Sequence, residues 1–402
     1  VVQDQNNRAA VICRLERVKR TSPSQAAEPR RHLGAMIEFA VSIKREGEVA
    51  MESITVGVDL AKQVFALCEV ENDGRVRMRR ELKRDGFHAW LAAQPAGTVV
   101  AMEACSSAHY WGRACERHGL VPRLMAAQFV KPFRKNARVK NDRQDAEAIA
   151  TAARQGNMRF VTVKSEAQQV RLCWHRVREG YKKDALALRN RLRGLLAEFG
   201  VVPAPSVTAL KRALADIDSQ PLPASLMRLI RLQQEHLAAI EAGMAECDAQ
   251  IEAQAKADER CERLRELTGI GPVTADAVVA SVGNAAEFKN GRQFAAWMGL
   301  TPTQFGSGGK VSLGHISCRG DRYLRTLLIQ GARSSVQRAK VTPAEKATAE
   351  QLWIVQLASR MPYGKVLVAI ANKHARQVWA MLARGEAYDP EAWLKHPMVQ
   401  RA

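Results

Sequence analysis

Three short runs, ITVGVDL from Ile54, VFALCEV from Val64 and RVRMRRE from Arg75, carry the residue pattern of β-strands. Asn72, Asp73 and Gly74 supply a hairpin turn between the second and third. The pattern then switches. GFHAWLAAQ reads as an amphipathic helix, TVVAME as a buried strand, SAHYWGRACERHG as a helix and LVPRLMA as a short strand, and another helix begins near Asp142. The order β-β-β-α-β-α-β-α predicts a mixed five-stranded sheet flanked by helices.

Residues 161–260 follow a different rule. Leu, Ala, Arg and Glu dominate, and the turn signal is GVVPAPS around 200–206. LRNRLRGLLAEF and LMRLIRLQQEHLAAIEAGMAECDAQIEAQ space their apolar residues as two long helices do. Paired as a hairpin they form a coiled-coil stalk, a dimerisation element or a plain helical linker. From 261, LTGIGPVTADAVVASVG resembles a helix-hairpin-helix element, whose Gly-x-Gly turn can aim backbone N–H groups at a phosphate. YGKVLVAIANKHARQVWAMLARG reads as one long amphipathic helix. The class expected is therefore α/β plus all-α. Its parts are an N-terminal extension at 1–50, a sheet domain at 51–160, a helical segment at 161–260, a mainly helical domain at 261–387 and a tail at 388–402. The extension is polar and aperiodic around VKRTSPSQAAEPRRH, and Met51 reads as a candidate start of translation, with residues 1–50 as upstream read-through.

The net charge of +20 directs attention to polyanions, of which nucleic acid is the commonest partner for a chain this basic. The eight cysteines form no C-x-x-C pair, and no apolar run reaches the roughly eighteen residues of a membrane span. A cytoplasmic, nucleoid-associated protein with no membrane contact is expected.

Against this positive background four acids stand out. Asp59 ends the first strand, Glu103 ends the buried strand, and Asp142 and Asp145 lie three apart on one helix face. Singly, Asp59, Glu103 and Asp142 each have an ordinary role as a helix cap. Together they gain another. Parallel neighbouring strands bring two strand ends to one sheet edge, where a helix adds two more carboxylates. Four such groups repel one another unless a cation holds them. Hard oxygen donors suit Mg²⁺, and two ions about 4 Å apart can activate a phosphodiester.

GVDLAK, MEACSSAHYW and NDRQDAEAI, in that order, resemble the RuvC-like (RNase H fold) domain of DEDD-type insertion-sequence transposases. GRQFAAWMGLTPTQFGSGGKVSLGHISCRGDRYLRTLLIQGAR resembles the second domain of the same family, and the AHYW variant is most similar to the 1111 subgroup of insertion-sequence family 110. The resemblance spans about 51–385. It implies that Asp59, Glu103, Asp142 and Asp145 are metal-binding and catalytic, with two Mg²⁺ ions. It also implies a recombinase acting on donor and target DNA, guided by a structured RNA from its own element, and assembled as a dimer or tetramer.

The family's catalytic serine, which forms a covalent phosphoserine link to DNA, corresponds to Ser307 in TPTQFGSGGKV. The residues alone exclude a P-loop there: Gln304 takes the first glycine position and Val311 replaces the hydroxyl after Gly309-Lys310. A nucleophile elbow also fails, since no buried strand precedes the serine. A flexible glycine loop remains, with Ser312 and Ser317 as alternatives that pattern does not exclude. Whether it meets the acids within one chain or across protomers is open. The expected nucleic-acid contacts are Lys131, Arg134, Lys135, Arg138 and Lys140, with Phe133 among them to stack on a base. Lys310 and the triplet Arg319, Arg322 and Arg325, spaced as on one helix face, complete the set. His109 is read as a core histidine rather than a proton shuttle. The rival readings are a RuvC-like junction endonuclease using water as nucleophile and a non-catalytic nucleic-acid-binding protein.

Overall fold

The computed structural model describes residues 54–134 and 142–390, the side chain of Ser307 excepted. The expected strands form as β1 (Thr55–Asp59), β2 (Val64–Val70) and β3 (Val76–Lys83). They are followed by α1 (Arg84–Ala92), β4 (Val99–Glu103), α2 (Ala108–Arg117), β5 (Val121–Met125), α3 (Ala127–Val130) and α4 (Asp142–Ala153). A further strand, β6 (Phe160–Val161), adds to the edge, so the sheet has six strands rather than five, in the order β3-β2-β1-β4-β5-β6. At two residues, β6 is too short for its pattern to stand out in the sequence. β1 pairs antiparallel with β2 and parallel with β4; β5 is parallel to β4 and antiparallel to β6. This mixed sheet is consistent with a DEDD nuclease-like fold.

Strand parity sorts the two faces. Val56, Val58, Val100, Met102 and Leu124 point to one face, where they bury Phe65, Phe87, Leu91 and Trp111 with the residues of α1 and α2. The opposite parity, Gly57, Ala101 and Met125, meets α4. Gly57 decides how close α4 comes. A Cβ there would overlap the Ala146 carbonyl oxygen and the Ala150 amide, so helix backbone rests directly on strand backbone. Two ion pairs tie the outer side of α4 to β3: Arg79 Nη2 to Glu147 Oε2 at 2.6 Å and Arg143 Nε to Glu81 Oε1 at 2.7 Å.

The long helices form as expected, α5 (Glu166–Ala197) and α7 (Ala224–Lys256), with α6 (Val207–Ala215) between them. Leu188, Leu192 and Leu196 of α5 meet Ile230, Leu237 and Ile240 of α7 in a separate apolar cluster. A capping box starts α5: the Ser165 hydroxyl accepts from the Gln168 N–H and the Gln168 side chain accepts from the Ser165 N–H.

The remaining elements are α8 (Glu259–Leu264), α9 (Pro272–Val282), α10 (Gly291–Trp297), β7 (Pro302–Ser307), β8 (Lys310–Ile316), α11 (Arg322–Val341), α12 (Ala349–Arg360) and α13 (Tyr363–Arg384). Their shared core runs from Ala255 to Met381. α5 is anchored to it by charge. The fully buried carboxylate of Asp276 on α9 accepts from Arg171 Nε at 2.8 Å and lies 2.9 Å from His175 Nε2, while His175 Nδ1 meets the Tyr323 hydroxyl at 3.0 Å. The α8–α9 turn has the expected glycines. Gly269, however, is spent on packing, because its backbone lies against that of Gly331 in α11.

Replacing Gly57 with Val should push α4 off β1. Overpacking of this kind costs about 1–3 kcal/mol, so thermal unfolding followed by circular dichroism should show a clearly lower midpoint. An unchanged midpoint would mean that α4 is free to shift.

Candidate active site

Parallel pairing sets Val58 beside Met102, so the next residues, Asp59 and Glu103, end neighbouring strands on the face that α4 covers. Because α4 starts at this edge, its first turn brings Asp142 and Asp145 there too. Carboxylate oxygens of Asp59, Asp142 and Asp145 lie within 4.8 Å of one another. Asp145 is buried, Asp59 half-buried and Asp142 exposed, so the group opens to solvent on one side.

Glu103 reaches this group through an arginine. Arg134 donates from Nη2 to Glu103 Oε1 at 3.2 Å, and its Nε stands 3.1 Å from Asp145 Oδ1. One guanidinium thus spans two of the four carboxylates and offsets their repulsion. Arg134, expected to contact nucleic acid, stands at the acidic site in this structure. Phe133 is partly buried and packs against the cluster of Val130, Ile149 and Ala152 under α4. Lys131 is exposed, and Lys135, Arg138 and Lys140 lie outside the described residues. The field of the acids is felt next door, where burial first and then Glu103 and Asp59 raise the pKa of the Cys105 thiol.

A divalent cation fits this donor set, which is all hard carboxylate oxygen, mutually close and partly open to solvent.

The sequence around Ser307 is not a loop. β7 and β8 form an antiparallel hairpin in which Ser307 is the last residue of β7 and pairs with Lys310. Only Gly308 and Gly309 lie between, with φ of 58° and 79°. Positive φ at both central residues is the requirement of a type I′ hairpin turn, and glycine meets it without strain. The two glycines thus serve a tight turn rather than the expected flexible loop. Phe305, Val311 and Leu313 are exposed along the hairpin. No residue of 302–316 belongs to the apolar clusters on either face of the sheet.

The arginine triplet divides. Arg319 is exposed ahead of α11, and Arg322 is exposed as its first residue. Arg325 is buried and donates to the carbonyls of Met298 at 3.1 Å and Arg319 at 3.3 Å. The expected single helix face fails because the helix begins only at Arg322.

Residues 56–201 match the DEDD transposase family of the IS110 type, described as "Transposase". Residues 261–348 match "Transposase IS116/IS110/IS902 family". A "Probable family 20 transposase" of Pseudomonas aeruginosa is 45% identical over 83% of this chain and 98% of its own length. The "Transposase for insertion sequence element IS1111A" of Coxiella burnetii is 37% identical, covering 88% of this chain and 96% of that one. That for IS1328 of Yersinia enterocolitica is 33% identical over 84% and 99%.

The chain belongs to the IS110/IS116/IS902 family of insertion-sequence transposases. The transposase is thus an enzyme whose substrate is DNA, and its acidic cluster agrees with the divalent-metal use that the DEDD class suggests. Among the described residues of the transposase no helix is long and apolar enough to cross a membrane.

His109 lies in this matched region but is engaged elsewhere. Its Nδ1 accepts from the Lys164 backbone N–H at 3.1 Å. Burial, then the charges of Lys164, Arg113 and Arg176, lower its pKa to about 4 from 6.5.

Two measurements follow. Mg²⁺ or Mn²⁺ should raise the melting temperature of the transposase, by about 2.7 kcal/mol of stabilisation at a hundredfold excess over Kd. Asp145→Asn should lose most of that shift; an equal shift in the variant would remove Asp145 from the site. In acid, an unfolded His109 takes up a proton near pH 6.5, whereas the folded one resists until about 4. The unfolded state binds more protons in that window, so stability falls as pH drops from 6.5 towards 4. His109→Gln should flatten this part of a plot of melting temperature against pH.

Proposed function

We propose that this transposase cuts and rejoins DNA through a covalent bond between Ser307 and a DNA phosphate, next to a Mg²⁺ site made by Asp59, Glu103, Asp142 and Asp145. The observation that carries the reading is the meeting of three aspartates from β1 and α4 at one sheet edge, beside Glu103 of β4. Asp59, Asp142 and Asp145 would hold the first ion, and Glu103, released from Arg134, would join a second. A bound divalent ion would polarise the scissile phosphate and stabilise charge on the leaving oxygen.

The chain's own residues do the rest. Ser307 Oγ attacks phosphorus: an Oγ–P bond forms, the P–O bond to the leaving deoxyribose oxygen breaks, and the serine proton passes through solvent to that oxygen. A hydroxyl of the second DNA end then attacks the phosphoserine, restoring the serine and joining the strands. Gly308 and Gly309 carry no side chains at the hairpin tip, and a Cβ on either would meet nothing within 4 Å, so DNA can approach closely. Arg134 holds Glu103 and Asp145 before DNA arrives and can then turn towards a phosphate. Lys310, Arg319 and Arg322 supply further positive charge near the hairpin.

In this reading residues 51–160 are the nuclease-like unit, 161–260 the segment through which a dimer or tetramer assembles, and 261–387 the serine-bearing unit. An element-encoded RNA selects the DNA ends, consistent with the +20 charge. The protein then acts on chromosomal DNA in the cytoplasm.

The test is covalent trapping. Wild-type protein with element-end DNA, its flanking transcript and Mg²⁺ should give a protein–DNA adduct that survives denaturation. Ser307→Ala should lose it, while Ser312→Ala and Ser317→Ala keep it. Undiminished cleavage by Ser307→Ala would overturn the serine route and favour water as nucleophile.

A further inference from the structure

A cavity of about 560 Å³, lined by none of the four acids, lies where α2, α5, α9, α10 and α11 converge. Its lining carries Lys164, Arg176, Lys183 and Arg322, and none of these makes an ion pair with a carboxylate among the described residues. The two acids on its wall are already committed. Asp321 Oδ1 caps α11 by accepting from the Tyr323 and Leu324 N–H groups at 2.7 and 3.1 Å, and Glu179 pairs with Lys182 at 3.2 Å.

His109 adds a donor. Because its Nδ1 accepts from the Lys164 N–H, a neutral ring carries its proton on Nε2. The positive charge is felt at His109, where burial first and then Lys164, Arg113 and Arg176 lower the pKa. At Lys164 burial lowers the pKa, while Asp321 acts against Arg176. The polar wall is therefore rich in donors and net positive, which calls for an anion offering acceptors only. Phosphate has that chemistry. Trp297 and Tyr323 line the same space and give it an aromatic side. The volume exceeds what a bare phosphate fills and falls in the range of small-molecule sites.

We propose that this cavity binds one nucleotide unit, its phosphate held by Lys164, Arg176 and Arg322 and its base lying towards Trp297 and Tyr323. The unit is either part of a single nucleic-acid strand or a free nucleotide; the phosphate and base chemistry is shared. Because the walls come from α2 of the sheet region, α5 of the long helices and α11 of the C-terminal core, occupancy ties these three parts together. The site shares Arg322 with the positive charge proposed near the hairpin but needs neither the serine nor the metal.

Photo-crosslinking of the full-length chain tests it. The probes are a single-stranded oligonucleotide containing 5-iododeoxyuridine and, separately, 5-iododeoxyuridine monophosphate. Mass spectrometry should map adducts to the peptides bearing Trp297 or Tyr323. Labelling by the strand alone identifies a strand site, and labelling by both identifies a nucleotide site. Lys164→Ala with Arg176→Ala should cut this labelling by about tenfold or more, as two charge-assisted contacts are lost. Arg322→Gln, at an exposed position, should also reduce it and serves if the double variant does not fold. Ser307→Ala should label as wild type, which separates this site from the cleavage chemistry. Adducts confined to other peptides, or wild-type labelling in the folded double variant and in Arg322→Gln, would overturn the proposal.

Discussion

The close approach of α4 to β1 at Gly57 is the contact on which the acidic site depends. With no Cβ in the way, the helix lies backbone to backbone on the strand, Ala146 and Ala150 filling the interface. Any larger residue would lift α4 and carry Asp142 and Asp145 away from Asp59. The same helix is fixed at its outer side by Arg79–Glu147 and Arg143–Glu81, which set its rotation as Gly57 sets its height. Packing thus does what no single carboxylate can. It holds like charges together at a cost that Arg134, and a divalent cation when present, offset.

The second organising feature is the buried pairing of α5 with the C-terminal core. Asp276 has no access to solvent, and Arg171 and His175 satisfy it from the first third of a helix that continues into the paired-helix cluster. Removing one partner would leave an uncompensated buried charge, so this junction resists sliding. The cavity between α2, α5 and α11 sits at that junction, which makes it a place where a ligand could report on all three parts.

Much of this is legible in the sequence. The strands at 54–83, the helix–strand alternation to Ala153 and the two long helices follow from hydrophobic periodicity, because period 2 and period 3.6 bury different residues. Asp59 and Glu103 were conspicuous as acids closing apolar strands. Other features were not readable. Arg134 reads as one more cation in a basic run, since sequence does not say which charges a chain brings face to face. Arg325 was grouped with Arg319 and Arg322 by spacing, yet the helix starts too late for that spacing to matter, and its guanidinium satisfies two carbonyls inside the core. Ser307 is marked only by resemblance, and its hairpin setting rests on positive φ at both Gly308 and Gly309, glycines that a flexible loop would equally contain.

By itself the sequence determined the local states: which segments alternate, which coil, where turns must fall, and that a strongly basic chain carries four acids in an order shared with a transposase family. These are properties of near neighbours along the chain. Tertiary structure alone decided proximity: that β1 and β4 run parallel, that Gly57 lets α4 descend, that Arg134 bridges Glu103 to Asp145, and that cations from α5 and α11 share a cavity with His109. Such contacts join residues tens to more than a hundred positions apart, and the free energy that selects them comes from burial and charge pairing in three dimensions, which no linear pattern encodes.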